Sequence, residues 1–272
     1  MTRRDFLWTA CGASMAAQAP VALLAGFTEL YHLRFAEART IFAQWRAHQP
    51  DDPMGEAAEA ASHLFEEFEQ HAVLTADFFL DDARLLGGIT GTANVERTQA
   101  FERACDRAVR LGESASAKNP RDANAWLALT IAAGMRADYA SLIAKRQIES
   151  LKLIRQAEGH AGRLLAVAPQ MGDGYMALGA ASYILACLPF YKRAVLFVGG
   201  LQRNKQRGLE ELERAAKTGL YLAPYAKMML GLALLREHRT DEARRLVAEL
   251  VVQFPRSPLF AREQVRMESL RR

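Results

Sequence analysis

The chain has 272 residues, half of them apolar, with nine prolines, three cysteines and a formal net charge of +4. That length and hydrophobicity can bury a sizeable core, which excludes intrinsic disorder. The slight positive excess does not imply nucleic acid, whose binding needs a clustered basic footprint, and no nucleic-acid partner is expected.

At the amino terminus, Thr2-Arg3-Arg4-Asp5-Phe6-Leu7 has the form of a twin-arginine export motif, followed by a moderately apolar stretch from Trp8 to Ala17 and an A-x-A site at Ala17-Gln18-Ala19. Pro20 opposes cleavage at that site, and Trp8-Thr9-Ala10-Cys11 is too close to the arginines for a lipid-anchor motif. The expectation is a signal segment over residues 1–19 and one domain over 20–272. It places the protein outside the cytoplasm, in the periplasm, or at the membrane if the signal is retained.

The first helix is expected over Ala19 to His32, and residues 28–49 read as a hairpin with Phe35, Ala38, Phe42 and Trp45 at spacings of three and four. Pro53 opens a helix to about Val73, Leu74 to Leu86 reads as helical, and Gly87-Gly88-Ile89-Thr90-Gly91 breaks the pattern. Amphipathic helices follow from Asn94 to about Lys118 and from about Ser141 to Val167. Tyr183 to Leu201 is the least regular stretch, a buried helix, a turn at Pro189 and a second helix capped at Gly199-Gly200. A membrane span there is excluded by Pro189, Lys192 and Arg193, since each central charge costs about 2.5–3.5 kcal/mol on insertion. A further helix runs from Gln202 to Lys217, and a hairpin fills Pro224 to Ser257.

The prolines punctuate these helices. Measured from Pro224 in a 34-residue unit, Gly231, Ala243 and Pro255 fall at positions 8, 20 and 32. Frames set by Pro50, Pro120 and Pro169 place Gly26 at position 8 with Ala38 at 20, Trp126 and Leu129 at 4 and 7, and Tyr175, Leu178 and Gly179 at 4, 7 and 8. This pattern resembles the tetratricopeptide (TPR) repeat, which implies an all-α, TPR-like helical-hairpin solenoid with an irregular middle segment.

In such repeats the first helix of each pair lines a concave groove. The groove residues expected here are Met176, Tyr183, Tyr225, Met228, Leu232 and Arg236, and the unit from Ala123 adds Asn124, Leu127, Ile131, Gly134 and Met135. This face is apolar and suits an apolar helix, an acyl chain or another part of the same chain. A second candidate, for anions, is the acid-free interval holding Lys192, Arg193, Arg203, Lys205 and Arg207, against which stands the reading of a solvated basic surface. His63, Glu67 and His71 share a helix face at metal-compatible spacing but lack a third well-placed ligand, and read as a solvated face. Cys11, Cys105 and Cys187 form no metal or disulfide framework, and the last two read as small buried thiols on helices. No nucleophile elbow, HExxH motif or phosphate loop is present, so no catalytic residue, metal or cofactor is assigned.

Gly172-Asp173-Gly174-Tyr175, Ser182-Tyr183-Ile184-Leu185 with Leu188-Pro189, Gly199-Gly200, Arg203, and Gly208-Leu209-Glu210-Glu211-Leu212 form an ordered string. It resembles the tetratricopeptide-repeat family 39 and fungal inclusion-body-clearance proteins over about residues 170–260. Where that family has Gly-Asp-Arg, this chain has Gly200-Leu201-Gln202-Arg203. The resemblance implies an interaction protein tied to lipid storage or aggregate handling, with no enzymology. Leu178-Gly179, Pro189, Gly199-Gly200 and Leu209 to Ala216 are also similar to the helical-repeat T component of periplasmic tripartite transporters. The function expected is a non-catalytic exported scaffold that binds a protein partner through its groove. The alternative is a periplasmic carrier or transporter-associated component that binds a small organic acid or lipid near residues 183–207.

Overall fold

The computed structural model describes residues 21–187 and 204–269, in which every regular element is helical. The helices are α1 (Val21–Tyr31), α2 (Phe35–His48), α3 (Pro53–Gln70), α4 (Ala76–Leu80), α5 (Asp82–Gly87), α6 (Val95–Lys118) and α7 (Ala123–Asp138). A wide π turn over Tyr139–Ile143 leads to α8 (Gln147–Val167) and α9 (Asp173–Cys187). The chain resumes with α10 (Lys205–Thr218), α11 (Ala223–Arg236), α12 (Thr240–Gln253) and α13 (Pro258–Ser269).

The proline punctuation corresponds to one turn built four times. Gln49, Asn119, Ala168 and Phe254 each offer a carbonyl to the N–H three residues on, at 2.9–3.2 Å, with proline at the second position of the turn. Proline presets φ there, and the missing N–H costs nothing. Asp52 and Asp122 then cap the next helices through Met54 and Ala125. Two turns within pairs also match. The Arg34 N–H donates to the Glu29 carbonyl and the Arg239 N–H to the Leu234 carbonyl, each across a left-handed residue, Leu33 at φ 61° and His238 at φ 60°. These are Schellman-type helix ends.

Recurring turns give a recurring stack. Helices α1, α3, α7, α9 and α11 form an inner layer in which each touches the next, while α2, α6, α8, α10 and α12 pack outside them. Two expected elements differ. Leu74 to Leu86 is divided at Asp81, whose carboxylate caps α5 through Ala83 and Arg84. The helix expected from Ser141 starts at Gln147, because the π turn intervenes. The stretch Leu188 to Arg203, with its turn and Gly-Gly cap, lies outside the described residues, as do residues 1–20.

The α9–α10 contact explains two glycines, Gly179 and Gly208. A Cβ on Gly179 would lie 2.7 Å from the Leu212 nitrogen, and one on Gly208 2.7 Å from the Tyr183 nitrogen, so each glycine admits the other helix's backbone. Gly179→Ala and Gly208→Ala are each expected to lower unfolding free energy by about 1–3 kcal/mol, because backbone cannot swing aside as a side chain does. Gly159→Ala and Gly162→Ala, on α8 with open space at the Cβ, should instead stabilise by up to ~1 kcal/mol. Denaturant titration of the four variants checks this opposition of sign.

Asp173 holds the same corner. Its buried carboxylate accepts the N–H groups of Leu220, Tyr221 and Leu222 at 2.7–2.9 Å, fixing the α10–α11 loop on the start of α9. That loop in turn meets the first repeat, because the Tyr31 hydroxyl donates to the Tyr221 carbonyl at 2.9 Å and Phe27 packs on the Tyr221 ring. Phe65 meets Tyr225, Tyr31 meets Phe254, and the Ala76 N–H donates to Glu263. Ion pairs Arg256–Glu29 and Arg266–Asp77 continue the contact on the surface. The superhelix therefore turns back on itself, and the last repeat rests on the first.

Candidate functional site

Where the ends meet, the inner layer lines a partly open cavity of about 390 Å³. Ligand pockets commonly fall in the range of about 300–1,000 Å³, and much smaller apolar cavities stay dry and take hydrocarbon guests. The inner helices supply stripes at spacings of three and four, such as Ala61, Leu64 and Phe68 from α3 and Ile131, Met135 and Asp138 from α7. The short helices α4 and α5 and the start of α8 wall the side through Phe79, Leu86 and Gln147. Ile89, just past α5, donates its N–H to the Leu142 carbonyl at 2.7 Å and ties that segment to the π turn.

Most polar groups on the wall are already engaged. Thr130 donates to the Trp126 carbonyl at 2.7 Å, Ser150 to the Ala137 carbonyl at 2.9 Å and Tyr31 to the Tyr221 carbonyl, while Asp173 holds its three backbone N–H groups. Two groups differ. Among the described residues, neither the Asp138 carboxylate nor the Tyr225 hydroxyl has a hydrogen-bond or ion-pair partner, and both line the cavity. Burial pushes the Asp138 carboxyl up to about 7, with no nearby charge or hydrogen bond among the described residues to oppose it. Burial, then the charge of Asp138, raises the Tyr225 hydroxyl well above its ordinary value. The carboxylate stands where α7 widens into the π turn, a feature frequent at functional sites.

The expected groove residues part into three groups. Met176 and Tyr225 line the cavity. Tyr183, Leu232 and Arg236 surround a small crevice beside it, the Tyr183 hydroxyl lying 3.0 Å from the Ala233 carbonyl and 2.9 Å from Glu237. Arg236 donates to the Phe79 carbonyl at 2.6 Å and pairs with Asp82, bracing α11 against α4 and α5. Met228 is buried elsewhere in the core.

Of the expected anion-binding residues, Lys192, Arg193 and Arg203 lie outside the described residues. Lys205 pairs with Glu237 at 2.7 Å and Arg207 with Glu211 at 2.9 Å. The His63–Glu67–His71 face is not simply solvated: Glu67 is buried, receives the Arg97 guanidinium and the Asn94 N–H, and meets the His71 ring at 3.1 Å. It joins α3 to α6. Cys105 is buried, and burial pushes its thiol up to about 12, which leaves it inert at neutral pH. Cys187 is free and partly buried beside that crevice. Among the described residues no His, Cys, Asp and Glu cluster suits a metal ion, and no helix is long and apolar enough to cross a membrane.

Asp138 is the residue that motif and repeat arithmetic do not reach. A signal for it exists: it extends the inner stripe Leu127, Ile131, Gly134 and Met135 by one more step, placing an acid where an apolar residue is the rule.

No protein-family model matches the chain, and no curated protein matches it. Among solved structures, a thermophilic TPR protein from Thermus thermophilus matches at 17% identity with a TM-score of 0.48, covering 91% of this chain and 96% of that one.

Proposed function

We propose that this protein is a non-catalytic, exported carrier or receptor that holds an apolar small molecule in the cavity enclosed by its inner helices. Helical-repeat folds generally bind through their concave faces. The observation that carries the reading here is closure. With α11 to α13 resting on α1 to α4, the inner face suits an enclosed molecule of acyl-chain character rather than a partner's helix. A protein partner would engage the outer surface. Export rests on the Arg3-Arg4 motif, and amino-terminal sequencing of protein recovered from the periplasm tests it.

Gly134 supplies a test that leaves folding intact. It lines the cavity on α7, and a Cβ placed there would meet nothing within 4 Å, so Gly134→Leu fills space without a first clash and improves helix propensity by ~1 kcal/mol. The wild type is expected to bind an uncharged fluorescent naphthalene probe saturably at one per chain, and to carry a bound molecule in native mass spectra when isolated from its host. Gly134→Leu should be at least as stable and should lose at least tenfold in probe affinity. Equal binding by both proteins, or no saturable binding, would overturn the reading.

A further inference from the structure

We propose, building on the reading of the cavity as a ligand site, that its ligand is an amphipathic amine, with a hydrocarbon body among the inner helices and a protonated amino group on the Asp138 carboxylate. The Tyr225 hydroxyl, also without a partner among the described residues and within the field of Asp138, supplies a second hydrogen-bonding group.

The balance of charge on the wall selects this class. Among the described residues no lysine, arginine or histidine lines the cavity. The ionisable groups facing it are Tyr31 from α1, Asp138 from α7, Asp173 from α9 and Tyr225 from α11, while α3 and α8 contribute none. Tyr31 is engaged by the Tyr221 carbonyl and Asp173 by three backbone N–H groups, which leaves Asp138 as the free acid among the described residues. A half-buried carboxylate without a partner on a largely apolar wall is costly, and a cation that reaches it removes that cost. A carboxylate or phosphate headgroup would add like charge in a low-dielectric space, and an alcohol would leave the charge unbalanced. The raised pKa of Asp138 is the mark of a carboxyl still lacking its counter-ion. An incoming ammonium would restore its ionisation.

The test is calorimetric titration of the full chain at pH 8 with dodecylammonium and dodecanoate below their micellar concentrations and dodecanol below its solubility limit, repeated with Asp138→Asn. Dodecylammonium is expected to bind roughly ten- to a hundredfold more tightly than dodecanol, the gain typical of a charged hydrogen bond, and dodecanoate most weakly. Asp138→Asn should erase the preference for the amine over dodecanol. Lowering the pH from 8 to 5 should weaken amine binding alone, as Asp138 takes up its proton. If dodecanol binds as tightly as the amine, if dodecanoate binds best, or if Asp138→Asn leaves the ratio intact, the amine inference falls and the cavity reading stands. If none of the three binds, both fall.

Discussion

Asp173→Ala is expected to lower unfolding free energy by about 3–5 kcal/mol, because it strips the acceptor from three backbone N–H groups at once. Each N–H that stays buried without an acceptor costs about 1–3 kcal/mol, and the loop cannot rotate all three outward without releasing Tyr221 from Tyr31 and Phe27. The damage should therefore reach the contact between the last and first repeats, and with it the wall of the cavity. Asp173→Asn keeps one carbonyl oxygen and should fall between the two. Guanidinium titration of the three proteins measures the order, and naphthalene-probe binding reads out the cavity in parallel. A loss below about 1 kcal/mol in Asp173→Ala would show that the loop is held by other contacts.

The second large effect is a stabilisation. Asp138→Asn should make the protein more stable at pH 8, with little change near pH 4. The folded state raises this carboxyl from 3.8 to about 7, so it binds the proton more tightly than the unfolded chain does. An acid of this kind imposes no penalty below the unfolded value. The penalty grows as pH rises through the interval and is complete above the folded value, where the gap corresponds to about 4 kcal/mol. Asparagine has no charge to desolvate, so its advantage should widen by about 2–3 kcal/mol between pH 5 and pH 8. Denaturant melts across that range decide the matter, and a difference independent of pH would refute the account. A residue that costs stability at neutral pH while facing a ligand-sized cavity is the usual signature of a group kept for binding.

The same two aspartates show how unevenly the sequence speaks. Asp173 stands in the Gly172-Asp173-Gly174-Tyr175 string, which the sequence offers only as part of a resemblance. Its partners, some fifty residues on, are visible only in three dimensions. Asp138 belongs to no motif. It differs from a surface acid only because α7 runs on as an inner helix into the π turn, and no local pattern announces that turn. Repeat arithmetic does reach Met176 and Tyr225, which line the cavity. Met228, one step from the cavity-lining Met229, is buried in the core without lining it.

The sequence by itself determined the helical class, the pairing of helices and their punctuation. These are properties of nearest neighbours: proline at a turn's second position, aspartate or asparagine at a cap, apolar residues at spacings of three and four. The tertiary structure alone decided that the concave face lines a cavity. Closure depends on the small rotation from each repeat to the next, summed until Tyr221, Tyr225 and Phe254 reach Phe27, Tyr31 and Phe65. A sum over the whole chain is not written in any one repeat. It is that sum which turns an apolar stripe into a cavity and leaves Asp138 inside it, without a partner among the described residues.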